Sequence, residues 1–98
     1  MVDMKTILTH NEKCSVRPIG NGLVIVGPED SETHSIEDIG AFIWNRIDGK
    51  KALDDILDDI LHEYVVAATT ASQDLQSFIS QLMAAGLIVP VKQALPSK

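Results

Sequence analysis

The chain has a single cysteine, Cys14, among its 98 residues. An intramolecular disulfide is therefore excluded, and a reducing cytoplasm is the expected compartment. Aromatics are scarce as well: one Trp, one Tyr and two Phe. No apolar run approaches the roughly 20 residues that a membrane-spanning helix needs. The start, Met1-Val2-Asp3-Met4-Lys5, lacks the basic start and apolar stretch of a secretory signal. Basic residues number 8 against 14 acidic ones, a net charge of −6. That balance argues against nucleic acid and anionic membrane as partners.

What is present is an ordinary globular composition, 45% apolar and 22% charged, in a length that makes one domain with a modest core. The acidic residues are unevenly spread. Eleven of the 14 lie between Glu29 and Glu63, and from Tyr64 onward there is only Asp74. The plain reading is a solvated helix face, and the functional one is steering of a basic partner surface.

Residues 1–15 show no clear period and are expected to form a loose lead-in. Val16-Arg17-Pro18-Ile19 reads as extended, and Gly20-Asn21-Gly22 suits a hairpin turn. Leu23-Val24-Ile25-Val26 is a β-branched run and the clearest strand. Gly27-Pro28 and the polar Glu29 to Glu32 connect it to a short third strand, Thr33 to Ile36. Ser35 then reads as the N-cap of a helix, with Asp38 completing a capping box. Ile36, Ile39, Ile43 and Ile47, joined by Phe42, trace its stripe, with Trp44 beside it and Gly49 ending the helix.

The second helix is the most regular. Leu53, Ile56, Leu57, Ile60, Leu61 and Tyr64 form one face, and Asp54, Asp55, Asp58, Asp59, His62 and Glu63 the other. Thr69 or Thr70 is the expected cap of a third helix with Ala71, Leu75, Phe78, Ile79 and Leu82 inward. Gly86 closes it, Leu87 to Val91 returns as an extended segment, and residues 92–98 form a frayed tail. Three strands followed by three helices make an α+β domain over residues 16–91. Its helices cover one face of a small antiparallel sheet, a topology close to winged-helix proteins.

The candidate chemistry is thin. Asp54 and Asp58 lie side by side on a helix, but the Asp-Asp-Ile-Leu repeat follows from amphipathic patterning and no EF-hand loop surrounds it. Cys14, His10, His34 and His62 are scattered, none at metal-ligand spacing. A Cys14–His34 nucleophile pair would lack a third orienting group. No glycine-rich loop joins a strand to a helix, so no nucleotide site is indicated. No metal, cofactor or catalytic residue is therefore expected. DNA binding fails on the third helix, because residues 69–86 contain no Lys or Arg. What remains is an edge strand whose free N–H and C=O groups could accept an extended peptide as another strand.

Ile39-Gly40-Ala41-Phe42-Ile43-Trp44, Ile47-Asp48-Gly49-Lys50-Lys51, Leu53-Asp54-Asp55-Ile56, Asp74-Leu75, Phe78-Ile79, Leu82 and Gly86-Leu87-Ile88 carry a resemblance. From about residue 16 to residue 89 the chain resembles the PqqD family. The resemblance implies a winged-helix-like domain that binds the leader of a ribosomally made precursor peptide as an added strand. It delivers that peptide to a modifying enzyme, often a radical S-adenosylmethionine enzyme. Mapped here, the groove would be Thr33, His34, Ser35 and Ile36 facing Gln73, Gln76, Ser77, Ser80 and Gln81. One departure is Ala52, where family members commonly cap the second helix with Thr. The alternative reading is an interaction or oligomerisation domain, such as a homodimer exchanging strands or helices.

Overall fold

A computed structural model describes residues 3–27 and 33–91. Its order is β1 (Leu8–His10), β2 (Ser15–Ile19), β3 (Gly22–Val26), β4 (Thr33–Glu37), α1 (Ile39–Arg46), α2 (Leu53–Glu63), α3 (Ala68–Ala84) and β5 (Ile88–Pro90). The expected α+β fold is present: an antiparallel sheet in the order β2-β3-β4, followed by three helices. The Pro28 to Glu32 connection and the 92–98 tail lie outside the described residues.

The β2–β3 hairpin turns at Gly20-Asn21, with Ile19 paired to Gly22. Gly20 has φ +60 and Asn21 does not share it, the pattern of a turn with glycine first. Gly22 is needed for a different reason. A Cβ there would lie 2.5 Å from the Ile36 carbonyl oxygen on the neighbouring strand.

The lead-in is the largest departure from expectation. Leu8 is 1% exposed, and Leu8–His10 pairs antiparallel with β5 in a second, two-stranded sheet. A three-residue strand is too short to show a period, so only its tertiary partner reveals it. The segment also replaces the missing cap at Ala52. Leu53 N–H donates to the Thr6 carbonyl at 3.1 Å and Asp54 N–H to the Met4 carbonyl at 2.9 Å. The Asp55 carboxylate accepts from Ala52 N–H at 3.2 Å. The first donors of α2 are satisfied without a hydroxyl side chain.

Three local expectations are corrected. Ser35 does not cap α1, because β4 runs on to Glu37, pairing Ile36 with Leu23 and Glu37 with Gly22. The turn into α1 falls instead on Asp38, which has φ 52 and makes no side-chain capping bond. Thr69 and Thr70 lie inside α3, which starts one turn earlier with Ala67 as its cap residue. Gly49 has the expected left-handed backbone (φ +80), but α1 has already ended at Ile47. Its role is to return the chain, with its N–H on the Leu8 carbonyl at 2.9 Å.

The core joins β1, β3, all three helices and β5 around Trp44, which is 2% exposed. Trp44 stood beside the helical stripe in the sequence; β1 is what covers it. The His10 ring stacks on the indole at 3.9 Å, and His10 Nε2 donates to the Trp44 carbonyl at 2.8 Å. Leu8→Ala is expected to destabilise the protein by about 2–5 kcal/mol, read as a shift of the denaturant midpoint. A loose lead-in would give no shift.

Asp48 adds a pH dependence. Its carboxylate accepts from the N–H groups of Lys50 and Lys51, at 2.8 and 3.0 Å, which holds its pKa below the ordinary aspartate value. A depressed folded pKa gives stability that is complete above the unfolded pKa and is lost as pH falls through the folded one. Acid titration of stability should therefore show a loss below the ordinary aspartate range that is reduced in Asp48→Asn.

Candidate peptide-binding site

The free edge of β4 can be resolved group by group. Ile19 and Gly22 close a two-residue turn as a hydrogen-bonded pair, so Gly22, Val24 and Val26 direct their N–H and C=O towards β2. Leu23 and Ile25 then face β4, where they pair with Ile36 and His34. Thr33, Ser35 and Glu37 are left with N–H and C=O groups directed away from the sheet. Opposite residues share a face, so His34 and Ile36 lie on the side of Ile25, which is 0% exposed in the core. Thr33, Ser35 and Glu37 are correspondingly exposed and His34 and Ile36 half-buried.

The other edge of the sheet is different. In β2 the outward-facing positions are Val16 and Pro18, and Pro18 has no N–H to offer. Proline on an edge strand is a common defence against strand addition. The two edges are thus unequal: β2 has Pro18 among its outward positions, and β4 has no proline.

Beside β4 the wall is built by α1 and α3. Ile36, Gly40 and Phe78 converge: a Cβ at Gly40 would meet Phe78 Cζ at 3.4 Å and Ile36 Cβ at 3.5 Å. Gly40 and Phe78 also border a cavity of about 230 Å³ among the three helices, lined further by Ile39, Ile43, Ile60, Val66, Ala71 and Leu75, with Asp74 as its one charged residue and no β4 residue in its lining.

The expected α3 residues divide between two flanks of the helix. At about 100° per residue, Asp74, Phe78 and Gln81 fall on one side of the buried stripe of Ala71, Leu75, Ile79 and Leu82. Gln76 falls on the other, where its Nε2 donates to Met4 Sδ at 3.4 Å. Gln73, Ser77 and Ser80 are exposed on the outer crest. Of the five, Gln81 is on the flank that Phe78 presents to β4, and Gln76 is turned towards the N-terminal segment. Asp74, Phe78, Ile39, Gly40 and Val66 were missed. The available signal was Asp74, a lone carboxylate on a helix otherwise without charge.

Reactive groups elsewhere are engaged. Burial pushes the Cys14 thiol up from its ordinary value, the reverse of an activated nucleophile. Asp54 pairs with Lys5 at 3.4 Å, and Asp59 with Arg46 and Lys51 at 3.2 and 2.8 Å. Among the described residues no three His, Cys, Asp or Glu side chains cluster to hold a metal, and no helix is long and apolar enough to cross a membrane.

An open sheet edge beside an apolar groove defines a small binding module. The chain belongs to the PqqD family, described as coenzyme PQQ synthesis protein D, whose model matches residues 22–88. Two solved structures share the fold. TbiB1, in complex with the TbiA(beta) leader peptide, is 22% identical with a TM-score of 0.75, over 82% of this chain and 93% of that one. Lasso peptide synthetase B1, complexed with the leader peptide, is 23% identical with a TM-score of 0.76, over 86% and 99%. No curated protein sequence matches the chain significantly.

Amide exchange tests the edge directly. Thr33, Ser35 and Glu37 should exchange faster than His34 and Ile36, in strict alternation. Uniform protection along β4 would mean that the edge is already occupied.

Proposed function

We propose that this protein is a non-catalytic, winged-helix-like module of the cytoplasm. It captures the leader segment of a ribosomally made precursor peptide by strand addition and presents it to a modifying enzyme. The observation that carries the reading is the free edge of β4, with Thr33, Ser35 and Glu37 offering main-chain groups while Pro18 blunts the opposite edge. Family membership supports it, as do two neighbours of the same fold whose structures hold leader peptides.

The energetics require more than the edge. Each main-chain hydrogen bond contributes about 0.5–1.5 kcal/mol net, while association costs roughly 4–15 kcal/mol. Side-chain burial beside β4 must make up the difference, and the cavity at Phe78 and Ile39 supplies apolar surface for it. In this reading the peptide lies along Thr33, His34, Ser35 and Ile36, with Ser77 and Gln81 at the outer margin of the groove. Gln73, Gln76 and Ser80 stand further from it. The modifying enzyme would be of the radical S-adenosylmethionine class or another peptide-modifying class.

The same edge favours one competitor, a homodimer in which two copies pair β4 to β4. Sedimentation at increasing concentration separates the two, since a dimer would compete with added peptide.

Titration of labelled protein with the leader half of a short peptide encoded beside its gene should shift the amides of Thr33 to Glu37 and of Asp74 to Gln81. Ser35→Pro should leave the β3–β4 ladder intact, because the lost N–H points outward, yet weaken capture at least tenfold, about 1.4 kcal/mol. Unchanged affinity in that folded variant would rule out strand addition at β4.

A further inference from the structure

The cavity among α1, α2 and α3 is small and chemically one-sided. At about 230 Å³ it falls below the roughly 300–1,000 Å³ of sites for drug-sized molecules. It has room for one side chain of a peptide rather than for a cofactor. Its lining is apolar except for Asp74.

Of the walls, α1 carries one cation, Arg46, and Asp59 holds it at 3.2 Å. β4 and α3 contain no Lys or Arg, and their charged residues are Glu37 and Asp74. Asp74 is exposed, and none of the ion pairs among the described residues involves it. The aspartates of α2 behave differently, since Asp54 and Asp59 already hold Lys5, Arg46 and Lys51. Asp74 is thus a carboxylate at an apolar cavity that pairs with no cation among the described residues.

Building on the leader-binding reading, we infer that this cavity selects a Lys or Arg of the bound peptide, with Asp74 as the residue that determines the choice. The methylene stem lies along Ile39, Val66 and Phe78, and the charged end reaches Asp74 at the rim. Long cationic side chains bury their stems on apolar surface in this way while keeping the head in water. An acidic residue in the same register meets like charge, so the cavity also fixes how the peptide lies along β4. An uncharged apolar side chain fills the space but leaves the carboxylate unanswered.

The test is selection of a displayed library of random linear peptides on the full chain, with affinities of enriched peptides measured by fluorescence polarisation. Enriched peptides should carry Lys or Arg at one position, and replacing that residue by norleucine should weaken binding about fivefold, the upper range for a partly exposed ion pair. Asp74→Asn should produce the same loss and no further loss with the norleucine peptide, while Asp74→Lys should shift enrichment to Asp or Glu at that position. Norleucine binding as well as Lys would overturn the inference without relying on any variant's folding. Peptides that bind with shifts along β4 but show no basic preference would overturn it and leave leader capture standing. Failure to enrich any peptide, with no shifts at β4, would remove both.

Discussion

The hydrogen-bond register of β3 is the constraint on which the rest depends. β3 is the strand with partners on both sides, and its residues alternate both their side chains and their main-chain groups. Ile25 must point into the core, where it is 0% exposed. Because the period is two, a slip of one residue would turn Ile25 and Leu23 to solvent and Val24 inward. The same alternation decides which groups of β4 are spoken for and which are free. The pattern of outward-pointing amides on β4 is therefore fixed by burial elsewhere, in the strand that pairs with its other side.

The chain ends act as scaffold for that arrangement. β1 and β5 pair with each other, and Asn11 N–H donates to the Leu87 carbonyl at 2.9 Å, tying the first residues to the end of α3. The carbonyls of Met4 and Thr6 hold the start of α2. Trp44 is packed from two directions, by the other helices on one side and by His10 on the other. A helix of eight residues such as α1 would not persist alone. Here it is clamped between β4, which it follows directly, and the two-stranded sheet. The groove wall of Ile39 and Gly40 is therefore held from an adjoining face of α1, where Trp44 packs against His10 of β1.

Much of the architecture was legible in the residues. Leu23 to Val26 announced a strand, Gly20-Asn21-Gly22 a hairpin, and the spacing of Leu53 to Tyr64 an amphipathic helix, because each signal is local and strong. The edge position of Thr33 to Ile36 was only a condition in the residues, supported by the family resemblance, and the sheet order β2-β3-β4 is what establishes it. What escaped was short or depended on a partner distant in sequence. Leu8–His10 has too few residues for a period, and its pairing with Ile88–Pro90 joins opposite ends of the chain. Ser35 looked like a cap because capping is judged over four residues, whereas the ladder with β3 outcompeted it. In the groove, the α3 polar face was read as one wall. The helix in fact presents Asp74, Phe78 and Gln81 to one side and Gln76 to the other, and only the docking direction distinguishes them.

By itself the sequence determined the fold class, the order of the three sheet strands and three helices, and the absence of positive charge on the third helix, since periodicity, turn chemistry and composition act over a few residues. Tertiary structure alone decided which amides of β4 point away from β3, which flank of α3 faces Ile36, and that Asp74 stands at an apolar cavity. Those are relations between elements packed against one another, and no local pattern encodes the rotation or register at which they meet.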